Sequence, residues 1–142
     1  MKWMRWSLAL LVATVTSSVV CLAQEGGSKA PSPDLRAMIA GTWRGNSVCL
    51  DRASPCHDEV NVYRFAKIAG KPDIFLVTAS KVVDGKEIVM GSGQWRYDDG
   101  AKTLVSESPR IRLTILRANW MEGALSLDDG REYRKIRLKK AS

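Results

Sequence analysis

The sequence predicts an all-β fold, an eight-stranded antiparallel up-and-down barrel with a short N-terminal helix. Three observations lead there. From Thr42 onward the chain is a succession of short β-branched runs, near 42–50, 58–69, 74–83, 86–97, 102–107, 110–118, 123–128 and 131–139. Turn sequences separate them at intervals of about ten residues: Gly70-Lys71-Pro72-Asp73, Asp84-Gly85, Asp98-Asp99-Gly100 and Asp128-Asp129-Gly130, all suited to tight hairpins. No segment of helical period interrupts them, so neighbouring runs meet antiparallel. Such a meander hides its edges most completely by closing on itself. Eight strands close around an interior that side chains just fill, or that holds one small ligand.

The elements follow in chain order. Lys2 and Arg5 precede an apolar run from Trp6 to Val20, and Cys21-Leu22-Ala23 offers small residues before Gln24. Positive start, short apolar run and small-residue exit describe a secretory signal peptide over 1–23. The protein is therefore expected to be exported, periplasmic or secreted. Lipid attachment at Cys21 is the alternative reading, although Val20 stands where a lipoprotein signal wants a small residue. Residues 24–32 are polar and Gly-rich, a flexible linker. The remaining 33–142 make a single domain, long enough for one core and too short for two.

Ser32-Pro33-Asp34 reads as an N-cap, a proline at the first helical position and an acidic second position. Leu35, Met38 and Ile39 then form one apolar stripe of a two-turn helix that Gly41 stops. Among the strands, Ile111, Leu113 and Ile115 oppose Arg112 and Thr114, while Ile136 and Leu138 share a face with Arg134, opposite Lys135, Arg137 and Lys139. Residues 74–77 are apolar on both faces, so the register of 74–83 is not readable. Pro109 separates the fifth and sixth runs, and Trp120-Met121-Glu122-Gly123 is expected to turn the sixth into the seventh.

The full chain carries 22 basic and 15 acidic residues, a net +7. Loss of Lys2 and Arg5 with the leader reduces this to +5. It also removes Cys21, leaving Cys49 and Cys56 as a pair in an oxidising compartment, where disulfides persist. The chain-entropy formula gives so small a loop about 2.5 kcal/mol of stabilisation.

Chemistry-bearing residues are sparse. The single histidine, His57, lies in Cys56-His57-Asp58-Glu59. A zinc site of Cys49, Cys56, His57 and a carboxylate fits no standard spacing, and an oxidised pair uses up both thiols. A hydrolase would need a serine elbow, and Gly91-Ser92-Gly93 on a strand is only a faint echo of one; the glycines read instead as a bulge or sharp bend. Asp98-Asp99 and Asp128-Asp129 lack the alternating oxygens of a calcium loop. No metal, cofactor or catalytic set is expected. The basic residues concentrated near the end, including Arg131, Arg134, Lys135, Arg137 and Lys139, lack the interleaved aromatics of a nucleic-acid surface. They read as the wet face of a strand that can contact an anionic envelope surface. The rings of Trp43, Tyr63, Phe65, Trp95 and Tyr97 are core residues and candidate ligand contacts at once.

With a short helix ending at Gly41-Thr42-Trp43 and an eight-strand meander behind it, the chain resembles the lipocalin-like (calycin) group of small barrels. In that group a Gly-x-Trp follows an N-terminal helix that closes one end. An arginine of the last strand commonly lies across the tryptophan. The resemblance makes Arg134 the residue that stacks on Trp43, by a cation–π contact. The string Trp43-x-Gly45-x-Ser47-x-Cys49, then Ser54-Pro55-Cys56-His57-Asp58-Glu59, is also similar to small exported bacterial proteins. The chain departs from typical lipocalins in its length and in carrying its disulfide on the first loop. What the resemblance implies is a non-enzymatic binding module of the cell envelope that takes a small apolar ligand in the barrel. The alternative is inhibitor-like binding of an envelope protein through the open-end loops, notably 51–58.

Overall fold

The computed structural model describes residues 34–142. The signal peptide assigned to 1–23, Cys21, the linker 24–32 and the helix start at Ser32-Pro33 lie outside the described residues. Eight strands, β1 (Gly41–Cys49), β2 (Glu59–Ile68), β3 (Lys71–Val83), β4 (Lys86–Asp98), β5 (Thr103–Glu107), β6 (Arg110–Arg117), β7 (Trp120–Ser126) and β8 (Glu132–Lys140), form a closed barrel in sequence order. Every pairing is antiparallel, and β8 closes on β1 with Trp43 opposite Lys140 and Cys49 opposite Arg134. The expected fold class is the observed one.

Three details differ from expectation. The N-terminal helix is a single 3-10 turn, Leu35–Met38, capped by Asp34, whose Oδ1 accepts from the Arg36 amide at 3.1 Å. It stops early because side chains take its last carbonyls: Trp43 Nε1 donates to Ile39 O at 2.8 Å and Lys140 Nζ to Met38 O. Gly41, at φ +123, then swings the chain into β1 through a conformation that side chains resist. Second, β3 begins at Lys71 and includes Pro72-Asp73, so the turn is confined to Ala69-Gly70. Pro72 is tolerated because it falls in the bulge between the Ile68–Lys71 and Lys67–Phe75 pairs and before the β4 ladder begins at Ile74. Third, Trp120–Gly123 is strand, with Trp120 paired to Arg117 and to Lys139. The turn is Ala118-Asn119. Gly123 is there for close approach, since a Cβ would lie 1.8 Å from Arg112 O.

The register of β3 is now explicit: Phe75 and Val77 are buried while Leu76 is exposed. The core fills the end of the barrel next to the 3-10 turn. Ile39, Trp43, Phe65, Phe75, Leu104, Leu113, Met121 and Leu138 are all buried there. The other end, reached by the 50–58, 84–85, 108–109 and 127–131 connections, is differently built, and the candidate site lies in it.

Candidate ligand-binding site

The β3 and β4 strands are long, and their walls taper in side-chain size toward the open end. Trp95 and Phe75 face each other across the pair, then Val77 and Gly93, then Ala79 and Gly91. A Cβ added at Gly91 or Gly93 would meet none of the described residues within 4 Å. Missing side chains therefore leave a hollow of about 310 Å³ above the core. That is the low end of the range for small-molecule sites. Tyr63 and Trp95 are in contact edge-on at 5.6 Å, and Phe65 meets Trp95 edge-on at 5.8 Å. Tyr63, Trp95, Val77 and Ile111 supply apolar wall; Ser47, Asn61, Glu59 and Arg134 supply polar groups.

The hollow also has a side opening. β4 pairs with β5 only through Arg96, Tyr97 and Asp98, opposite Val105, Leu104 and Thr103. Among the described residues, 86–95 therefore have a ladder partner on the β3 side alone. A bulge at Met90, between the Ala79–Gly91 and Ser80–Val89 pairs, bends this free edge away. Met90 sits on the rim, both lining the hollow and exposed, beside exposed Ile88 and Val89. Ser108 and Pro109 form the opposite rim.

Of the five candidate rings, the structure brings only Tyr63 and Trp95 to the hollow. Trp43, Phe65 and Tyr97 belong to the packed end. Tyr97 donates to Asp99 at 3.2 Å, in the β4–β5 turn. Burial pushes the Tyr63 phenol up to about 12, with nearby Arg134 pulling it down and Glu59 pushing it up.

Arg134 does not stack on Trp43; the cation over that indole is Lys140, 5.6 Å from the ring centroid. The closing register is the reason. It sets Lys140 opposite Trp43 and Arg134 opposite Cys49, at the other end of the strand. There Arg134 organises the first loop. Its Nε donates to Ser47 Oγ (2.8 Å), its Nη2 to the carbonyls of Ser47 (3.1 Å) and His57 (2.7 Å), and its Nη1 to Cys56 Sγ (3.1 Å). Glu59 Oε2 lies 3.4 Å from Nη2.

The Cys49–Cys56 disulfide is present, with the two Cα atoms 5.9 Å apart. Asp58 Oδ1 accepts from the Cys49 amide at 2.9 Å, and Ser54 Oγ donates to Asp51 O at 2.8 Å. His57 is exposed, its Nε2 3.9 Å from Glu59. Among the described residues no group of His, Cys, Asp or Glu side chains is arranged to hold a metal ion. Asp98 and Asp129 serve turns, accepting from the amides of Ala101 (2.9 Å) and Arg131 (3.0 Å). The late basic residues Arg112, Lys135 and Arg137 point outward, Arg137 lying 3.7 Å from Glu122 and Lys135 3.8 Å from Glu132.

With this geometry the chain can be set beside solved structures. A redesigned β-barrel matches with a TM-score of 0.55 at 16% identity, over 76% of this chain and 96% of that one. The siderocalin Ex-FABP, described as functioning through dual ligand specificities, matches with a TM-score of 0.50 at 13% identity, over 74% of this chain and 71% of that one. Both share the barrel fold with this chain. At these identities the likeness is one of fold. No family model and no curated protein matches the chain.

The hollow itself was not legible in the sequence. Its one signal was Gly91-Ser92-Gly93, which serves to leave space at least as much as to bend the strand.

Proposed function

We propose that this protein is an exported, non-enzymatic binding protein that takes one small, largely apolar ligand in the open-end half of its barrel. One observation carries the reading: a hollow of about 310 Å³ floored by Trp95 and Tyr63 and kept open by Gly91, Gly93 and Ala79. A folded barrel gains stability by filling its interior. Leaving glycines where a Cβ meets nothing forgoes that gain, which makes sense when a ligand supplies the missing contacts. The β4–β5 gap gives access from the side, past Met90. Export accords with the Cys49–Cys56 disulfide, and the likeness to a siderocalin with dual ligand specificities accords with ligand binding.

The test fills the space. Gly93→Leu places a side chain in the hollow without straining the backbone. The variant should keep the wild-type melting temperature while losing binding of 2-ethylnaphthalene, followed by ligand-observed NMR. Unaltered binding by a folded variant would remove this reading.

A second reading rests on the loop 51–58. Disulfide, Arg134 and Asp58 hold it rigid, while Asp51, Arg52, Ala53, Pro55 and His57 remain exposed. A pre-ordered loop loses little entropy on docking, which suits an envelope protein partner. The outward Arg112, Arg117 and Lys139 add attraction for an anionic surface. Scrambling 52–55 would then abolish partner capture and leave binding of 2-ethylnaphthalene intact; retained capture would dismiss the loop.

A further inference from the structure

The polar groups around the hollow carry charge of both signs, and that charge is already satisfied within the protein. Arg134 directs four N–H bonds to Ser47, His57 and Cys56. Glu59 lies 3.4 Å from Arg134, 3.8 Å from Lys81 Nζ and 3.9 Å from His57. An anionic ligand would have to displace Glu59 or two backbone carbonyls from the guanidinium. A cationic one would have to compete with Arg134 and Lys81 for a single carboxylate. Neither exchange returns the desolvation cost of the incoming charge.

What remains unsatisfied is neutral. Asn61 lines the hollow and is 2% exposed, yet among the described residues its side-chain Nδ2 has no hydrogen-bond partner. A buried amide donor without an acceptor is rare in folded proteins and marks a place where a partner belongs. Its strand position alternates inward with Tyr63 and Phe65, and a half-turn about Cβ–Cγ exchanges the positions of its amide nitrogen and oxygen. Tyr63 also lines the hollow, and its phenol, neutral near pH 7, is a second donor there.

We infer that the ligand is uncharged, an apolar body resting on Trp95 with a carbonyl-type acceptor that receives the Asn61 amide N–H. This deepens the proposed binding function and rests on it. Three probes of one shape separate the alternatives: 2-acetylnaphthalene (acceptor), 2-ethylnaphthalene (no acceptor) and 2-naphthoate (anion), each titrated by ligand-observed NMR. The wild-type chain should bind 2-acetylnaphthalene about tenfold more tightly than either of the others, the effect of satisfying one buried donor. Asn61→Leu, close in volume, should reduce the preference for the ketone over 2-ethylnaphthalene to within about twofold, and its melting temperature should not fall, since no hydrogen bond is lost.

If 2-ethylnaphthalene binds and the ketone binds no better, the acceptor is refuted while the cavity reading stands. If 2-naphthoate binds most tightly, the uncharged ligand is refuted. If none binds, the cavity reading fails and this inference with it. Should Asn61→Leu not fold, the comparison of the three probes on the wild-type chain decides by itself.

Discussion

Replacing Arg134 by Met tests whether this one guanidinium secures the open end of the barrel. The side chain is 11% exposed and its Glu59 partner 18%. Removing one member of a buried pair costs about 3–5 kcal/mol, because the other charge is left without compensation. Glu59 keeps Lys81 at 3.8 Å, which places the expected loss near the lower end, about 3 kcal/mol. With a urea dependence of about 1–3 kcal/mol per molar for a small domain, the unfolding midpoint should fall by roughly 1–3 M. Glu59→Gln leaves Arg134 bonded to three oxygens and should cost only about 1 kcal/mol. The double substitution should cost less than the sum of the two, since the second change removes the charge that the first leaves unpaired. Trypsin supplies a local readout. Arg52 is exposed in the loop that Arg134 holds, so Arg134→Met should be cut after Arg52 faster than wild type. The two pieces should separate only on a reducing gel, because Cys49 and Cys56 join them across the nick. An unmoved midpoint together with unchanged cleavage at Arg52 would refute the assigned role.

Other consequences can be measured alongside. Trp43→Ala removes a fully buried indole and its 2.8 Å bond to Ile39 O, and should cost about 3–5 kcal/mol in denaturant titrations. Gly123→Ala should destabilise by about 1–3 kcal/mol or more, because its Cβ would collide with Arg112 O, whereas Gly93→Leu should leave the melting temperature in place. Reducing the disulfide should lower stability by about 2.5 kcal/mol, and an equal midpoint with and without reductant would contradict that. Tyr63 holds its proton to about 12 in the fold against ~10 in the unfolded chain. The stability it contributes is therefore complete below pH 10 and declines as pH rises from 10 toward 12, by about 1 kcal/mol at pH 11. Tyr63→Phe should lack that component when the two proteins are compared at pH 9 and 11.

Much of the fold could be read locally. Asp84-Gly85 adopts positive φ at both residues, 50° and 75°, as a two-residue hairpin turn needs, and the dipeptide announces it. Ile136 and Leu138 face in while Lys135 and Arg137 face out, as their alternation requires. Errors arose where a local signal had a competing use. Pro72 and Gly123 both read as turn residues, but Pro72 sits in a bulge of the β2–β3 ladder and Gly123 is demanded by a neighbouring backbone. At the site, Tyr63 and Trp95 were recognisable as large inward rings. Nothing in their immediate sequence separated them from Phe65 and Tyr97, which lie on the same faces nearer the packed end.

Sequence alone determined the number of strands, their alternation, the hairpins and the cysteine pair, because these depend on residues close together along the chain. Tertiary structure decided which cation covers Trp43, what Arg134 holds, and where the interior is left unfilled. Those outcomes depend on how β8 registers against β1 and how far β4 extends past β5. A shift of register moves a side chain from one end of the barrel to the other while leaving its inward orientation unchanged. The pattern of alternation is therefore blind to it.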